Sequence, residues 1–69
     1  MNKNKLKDRE IEIIILMTRN YTNQQIADAI NLSIHTIKAY NTKIFEKLNA
    51  TTRTEAIINA VKQGYIKLT

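Results

Sequence analysis

Three tripeptides, N-Y-T at 20–22, N-L-S at 31–33 and N-A-T at 49–51, punctuate a 69-residue chain that has no proline and one glycine. With so few ordinary turn formers, its corners must be built from something else. Asn is the residue other than Gly that most readily enters the left-handed conformation that ends a helix. Ser or Thr two residues later is a good N-cap for the next helix. Each tripeptide therefore reads as a stop, a corner and a start, and three of them divide the chain into four helices. All three are also formal N-glycosylation sequons. The chain has no Cys, and its lysine-containing start is not followed by a long apolar stretch or a cleavage-like site, so the mechanical reading is preferred.

The spacing predicts helices over about 8–19, 22–30, 33–48 and 52–63. Acidic Asp8, Glu10 and Glu12 suit the positive N-terminal end of the first. Thr22 with Gln25, and Thr52 with Glu55, have capping-box spacing, and Gly64 suits a C-terminal stop. Apolar residues recur at helical spacing: Ile13, Ile14 and Met17; Ile26, Ala27 and Ile30; Ile34, Ile37, Ile44 and Leu48; Ala56, Ile57, Ala60 and Val61. Four short amphipathic helices can bury such stripes only against one another. The expected fold is all-α, a compact four-helix domain over 6–69 preceded by a flexible N-terminal arm over 1–5.

Composition narrows the function. Without Cys there is neither a disulfide nor a thiolate metal site. The longest apolar run, Ile13 to Met17, is too short to span a bilayer. The single His is His35, and no spaced carboxylate pair stands beside a plausible pocket, so an enzyme is not expected. Nor is a cofactor, a metal, a membrane partner or a small-molecule ligand. An ion pair between Glu10 and Arg53 is expected to link the first and fourth helices. The formal net charge is +5. Residues 1–30 hold five basic and four acidic side chains, a net +1, and residues 31–69 hold six and two, a net +4. A basic half on a small helical domain points to an anionic partner, nucleic acid before membrane surface.

The stretch A-I-N-L-S-I-H-T-I-K, Ala29 to Lys38, makes that more specific. Only Asn31, Leu32 and Ser33 separate two helical runs, which forces a steep crossing of the helix-turn-helix kind. One side of the later helix is then clear of the core and free to enter a major groove. On that side His35, Lys38, Ala39, Thr42 and Glu46 follow i, i+3, i+4 spacing, with Lys43 beside them. Lysines can bind phosphate or guanine, and Ala39 and the Thr42 methyl suit a thymine methyl. Thr22 to Gln24, at the start of the second helix, would offer N–H groups to a backbone phosphate.

Five blocks in order, L-K-D-R-E (6–10), T-N-Q-Q-I-A (22–27), L-S-I-H-T-I-K (32–38), I-F-E-K-L (44–48) and R-T-E-A (53–56), carry a family resemblance. The chain resembles the LuxR/GerE-type helix-turn-helix domain of bacterial transcription regulators from Leu6 to Ile66. The resemblance implies a four-helix domain whose third helix reads the major groove, usually as a dimer. It places base contacts on Lys38, Ala39, Thr42 and Lys43. Backbone contacts fall on Thr22, Asn23, Thr36, Tyr40 and Lys47, to which the start of the second helix adds Gln24 and the groove face adds His35. The dimer interface falls on Ile58, Val61, Lys62 and Tyr65 of the fourth helix and its end. Three departures stand out. Lys7 replaces the usual Ser or Thr cap, which makes Asp8 the expected cap. Asn20, Asn31 and Asn49 stand where Gly is common. Asn41 stands where the family usually places an apolar residue, and it needs a partner or solvent.

The expected function is sequence-specific binding of double-stranded DNA for transcription regulation, in the cytoplasm and on the nucleoid, as a homodimer through the fourth helix. The alternative is an antagonist that pairs with a larger regulator through that helix; the available groove face favours DNA. A sigma-factor tail has a similar helix-turn-helix, but R-T-E-A-I-I-N-A-V-K-Q-G-Y-I supplies a fourth helix that speaks against it. A larger regulator or RNA polymerase is a possible protein partner. Ile15, with Ile11 one turn before it, lies opposite the expected core and is either a stray surface residue or a second protein-binding patch.

Overall fold

A computed structural model describes residues 5–68, so most of the expected N-terminal arm lies outside the described residues, as does Thr69. Four helices follow one another: α1 Asp8–Thr18, α2 Asn23–Ala29, α3 Ile34–Lys47 and α4 Arg53–Lys62. No strand occurs among the described residues. Each helix lies within a residue or so of its expected bounds.

One device ends all four helices. Asn20 (φ 63°), Asn31 (φ 59°), Asn49 (φ 53°) and Gly64 (φ 82°) occupy the left-handed region. Immediately after each, an N–H reaches back five residues to a helical carbonyl. Tyr21 bonds Leu16 (3.2 Å), Leu32 bonds Ala27 (2.9 Å), Ala50 bonds Phe45 (2.9 Å) and Tyr65 bonds Ala60 (2.9 Å). This is the 6→1 bond of the Schellman motif, which satisfies carbonyls that the helix end would otherwise orphan. The starts are equally uniform. Thr22, Ser33 and Thr52 are the N-caps of α2, α3 and α4, and their hydroxyls accept from the N–H of Gln25, Thr36 and Glu55, each at 3.1 Å. Gln25 completes its box by accepting the Thr22 N–H at 2.8 Å.

The start of α1 differs from expectation. Lys7, not Asp8, is the N-cap. A lysine side chain has no acceptor, so only half of a capping box forms, with Glu10 Oε1 accepting the Lys7 N–H at 2.8 Å.

Ile13, Ile14, Met17, Ile26, Ala27, Ile37, Ile44, Leu48, Ala56 and Ala60 form the buried core. Leu6, Ala50 and Ile66 close it from outside the helices. Ile30, Ile57 and Val61, expected on the same stripes, are half-buried at its margin, whereas Ile34, at the first turn of α3, is half-buried but does not join the core. The expected Glu10–Arg53 pair does not form. Glu10 is 2% exposed and its carboxylate takes the Lys47 ammonium at 2.7 and 3.0 Å, tying α1 to α3. Arg53 turns instead to the α1–α2 corner, where Nη1 donates to the Tyr21 carbonyl at 2.6 Å.

Candidate nucleic-acid interface

α3 has two faces with different tasks. Ile37 and Ile44 are buried, and Tyr40 and Phe45 flank them against the core. On the other side His35, Lys38, Ala39, Thr42, Lys43 and Glu46 are all exposed. The four residues expected to meet bases thus share one accessible surface. Thr42 donates its hydroxyl to the Lys38 carbonyl at 3.2 Å, one turn earlier, which occupies that proton within the helix.

The corner that frees this face is a short span of specific bonds. Asn31 turns the chain, the Leu32 N–H closes onto Ala27, and Leu32 itself packs against the core. Ser33 caps α3 through the Thr36 N–H and also bonds the Thr36 hydroxyl at 2.9 Å. Along one flank of α3, Thr36, Ala39, Tyr40, Lys43 and Lys47 meet Lys7 and Glu10 around an open groove of about 550 Å³. Five of the expected DNA-contact residues therefore line one concavity, three of whose seven side chains are lysines.

Lys47 is distinct among them. Its side chain is 16% exposed and its ammonium is held by Glu10. Burial alone raises the Glu10 pKa, but the Lys47 hydrogen bond, the Lys7 backbone N–H and the nearby lysine charges outweigh it and hold the carboxyl below its ordinary value. Glu10 is an anion in the folded domain at neutral pH.

The start of α2 carries Thr22, Asn23 and Gln24. Thr22 and Gln24 are exposed and Asn23 is half-buried. Gln24 is occupied within its helix, donating to Asp28 at 3.0 Å. Asn23 sits at a node that joins three helices: its Oδ1 accepts from Asn41 Nδ2 at 3.0 Å and from Arg53 Nη2 at 3.4 Å. Asn41 thereby finds a partner for its amide nitrogen. Its Oδ1 is buried and has none, an arrangement that costs about 1–3 kcal/mol. The polarity of Asn41 is visible in the sequence, but its partner, 18 residues away on another helix, is not.

The expected dimer residues form a mixed patch. Ile58 is 46% exposed, Lys62 is exposed, and Val61 and Tyr65 are half-buried. The Tyr65 hydroxyl also accepts the Leu6 N–H at 3.2 Å, anchoring the chain's entry into α1. Ile15 is 38% exposed beside a half-buried Ile11. Among the described residues no cluster of three His, Cys, Asp or Glu is placed to hold a metal. No helix there is long and apolar enough to cross a membrane.

Residues 4–60 match the family described as "GerE: Bacterial regulatory proteins, luxR family". The chain belongs to this family. It is 36% identical over 63 residues to the transcriptional regulatory protein DegU of Brevibacillus brevis, covering 91% of this chain and 27% of DegU. Its structure is similar to that of the transcription factor GerE, with a TM-score of 0.86 at 28% identity, covering 93% of this chain and 96% of that one. It is also similar to the LuxR-type receptor VqmA of Vibrio cholerae, with a TM-score of 0.81 at 30% identity, covering 91% of this chain and 28% of VqmA. The chain thus matches nearly all of GerE but spans less than a third of DegU. The LuxR/GerE-type domain described here is a DNA-binding domain of the transcription-regulator class, and the regulators it resembles are not enzymes.

Proposed function

We propose that this domain binds double-stranded DNA sequence-specifically as a homodimer, with α3 in the major groove and α4 forming the dimer contact. The observation that carries the proposal is the exposed α3 face, where Lys38, Ala39, Thr42 and Lys43 stand together beside a capped, core-anchored helix. Small Ala39 and Thr42 allow close approach to the groove floor, and the lysines supply donors to guanine or phosphate. Thr22, Asn23, Gln24, His35, Thr36 and Tyr40 take backbone contacts around that face. Lys47, which lines the same groove, would share its ammonium between Glu10 and a phosphate. Ile58, Val61, Lys62 and Tyr65 form the homodimer patch. VqmA, whose structural description names both a dimer and target DNA, supports this assembly by similarity. Acting on chromosomal DNA, the domain would work in the cytoplasm.

The test is a titration with random-sequence and promoter-derived duplexes at two salt concentrations, with sedimentation reporting the oligomeric state. Binding should weaken with salt at a slope of about 0.9 per phosphate neutralised, a dimer should bind, and some duplexes should be preferred. A folded domain that self-associates but binds no duplex would refute the proposal in favour of an antagonist pairing through α4.

A further inference from the structure

The node at Asn23 has a direction built into it. A guanidinium only donates, so Arg53 requires the oxygen end of the Asn23 amide to face it. Arg53 is itself fixed by its bond to the Tyr21 carbonyl. With that end settled, Asn41 must present its NH2 group to the same oxygen, which it does at 3.0 Å. Two donors from two other helices therefore hold the Asn23 amide in one orientation. Its own NH2 group has no protein partner among the described residues and is not sequestered from solvent. The consequence is chemical. A phosphate oxygen accepts hydrogen bonds and donates none, so an Asn at a phosphate is useful only with its nitrogen outward. Reversed, it would set a carbonyl dipole against the anion.

We propose that Asn41 is a positioning residue for DNA: it acts through Asn23, holding that amide in the donor-outward orientation that a backbone phosphate requires. The proposal rests on the DNA-binding reading above. It accounts for a polar side chain on the stripe between Ile37 and Ile44. An apolar residue at 41 would pack there without stranding an oxygen. Asn41 leaves its own Oδ1 buried and unpartnered and supplies the shorter of the two bonds to the Asn23 oxygen, 3.0 Å against 3.4 Å from Arg53. Asn41 also stands next to Thr42 and one turn from Lys38, so the α2 contact is set from within the helix that reads bases.

The test combines Asn41→Leu, Asn41→Asp and Asn23→Ala with the double variant Asn23→Ala/Asn41→Leu, each read by urea midpoint and by duplex affinity at fixed salt. Asn41→Leu should raise the urea midpoint and yet weaken binding by about threefold to tenfold, equally for preferred and random duplexes, because backbone contacts carry no sequence information. Asn41→Asp, which turns the donor into an acceptor facing the Asn23 oxygen, should weaken binding further. In the Asn23→Ala background, Asn41→Leu should no longer change affinity, the non-additivity expected of residues acting as a unit. In the wild-type domain, the Asn23 side-chain NH2 resonances should shift on adding duplex DNA while those of Asn41 hold still. That measurement decides the matter even if a variant fails to fold. Wild-type affinity in Asn41→Leu, an equal loss with and without Asn23, or unmoved Asn23 resonances in a bound complex would each overturn the proposal while leaving DNA binding intact. A wild-type domain that binds no duplex would overturn the DNA reading, and the role of Asn41 with it.

Discussion

Replacing Lys47 with Met should be among the most damaging single changes outside the apolar core. Glu10 is 2% exposed and its carboxylate takes the Lys47 ammonium at 2.7 Å, so the variant would leave an anion buried without its main partner. Breaking a buried pair from one side costs about 3–5 kcal/mol. A domain of this length has about 3–10 kcal/mol of total stability at roughly 0.05–0.15 kcal/mol per residue, so the loss would consume much of it. The pH dependence sharpens the test. In the wild type Glu10 has a folded pKa below its unfolded value of about 4.3. Its contribution is therefore complete above that value and is lost as pH falls through the lowered folded pKa. Without Lys47 the burial that raises the pKa remains, opposed only by Lys7. The folded pKa should then exceed the unfolded one, and lowering the pH from 7 towards 4.5 should restore stability rather than leave it unchanged. Urea titrations followed by circular dichroism at both pH values measure this, with Glu10→Leu/Lys47→Met as a control that should recover most of the loss. A Lys47→Met domain within about 1 kcal/mol of wild type, or one whose stability relative to wild type does not improve at pH 4.5, would refute the reasoning.

Three further changes probe the corners and surfaces. Asn31→Ala, which places an ordinary side chain at φ 59°, should cost about 1–2 kcal/mol in thermal or urea unfolding, whereas Asn31→Gly should be close to neutral; equal effects would mean the left-handed turn is not what fixes the corner. Lys38→Ala should weaken binding to preferred duplexes and relax preference at one base position by about 1–3 kcal/mol, and an unchanged binding profile would remove Lys38 from the base-reading set. Ile58→Glu, at a position 46% exposed, should leave the urea midpoint nearly unchanged while sedimentation shows loss of the dimer; a persistent dimer would move the interface away from α4.

What was legible in the sequence is mostly local. Thr22, Ser33 and Thr52 declared the helix starts because a cap acts on a residue three positions on, and Asn20, Asn31 and Asn49 declared the stops because few other residues tolerate positive φ. The exposed face of α3 was readable for the same reason, since helical spacing alone sorts Lys38 and Thr42 from Ile37 and Ile44. What failed was pairing at long range. Arg53 is the partner the sequence suggests for Glu10, but the fold brings Lys47, 37 residues away on α3, to that carboxylate instead. Arg53 was free for the Tyr21 carbonyl because that carbonyl lies in the α1–α2 corner, where no periodicity reports a neighbour. At α1 the residue type misled: Lys7 cannot cap with its side chain, yet Glu10 supplies the other half of the box and the helix starts at Asp8 regardless.

The most direct test of the central claim, that α3 offers its exposed face to the major groove, is amide chemical-shift mapping of the labelled domain titrated with a duplex it prefers. The largest perturbations should fall on Lys38, Ala39, Thr42 and Lys43, with smaller ones at Thr22, Asn23 and Thr36, while Ile11 and Ile15 on α1 stay unmoved. Perturbations centred on α1 or α4 with a silent α3 would contradict the account.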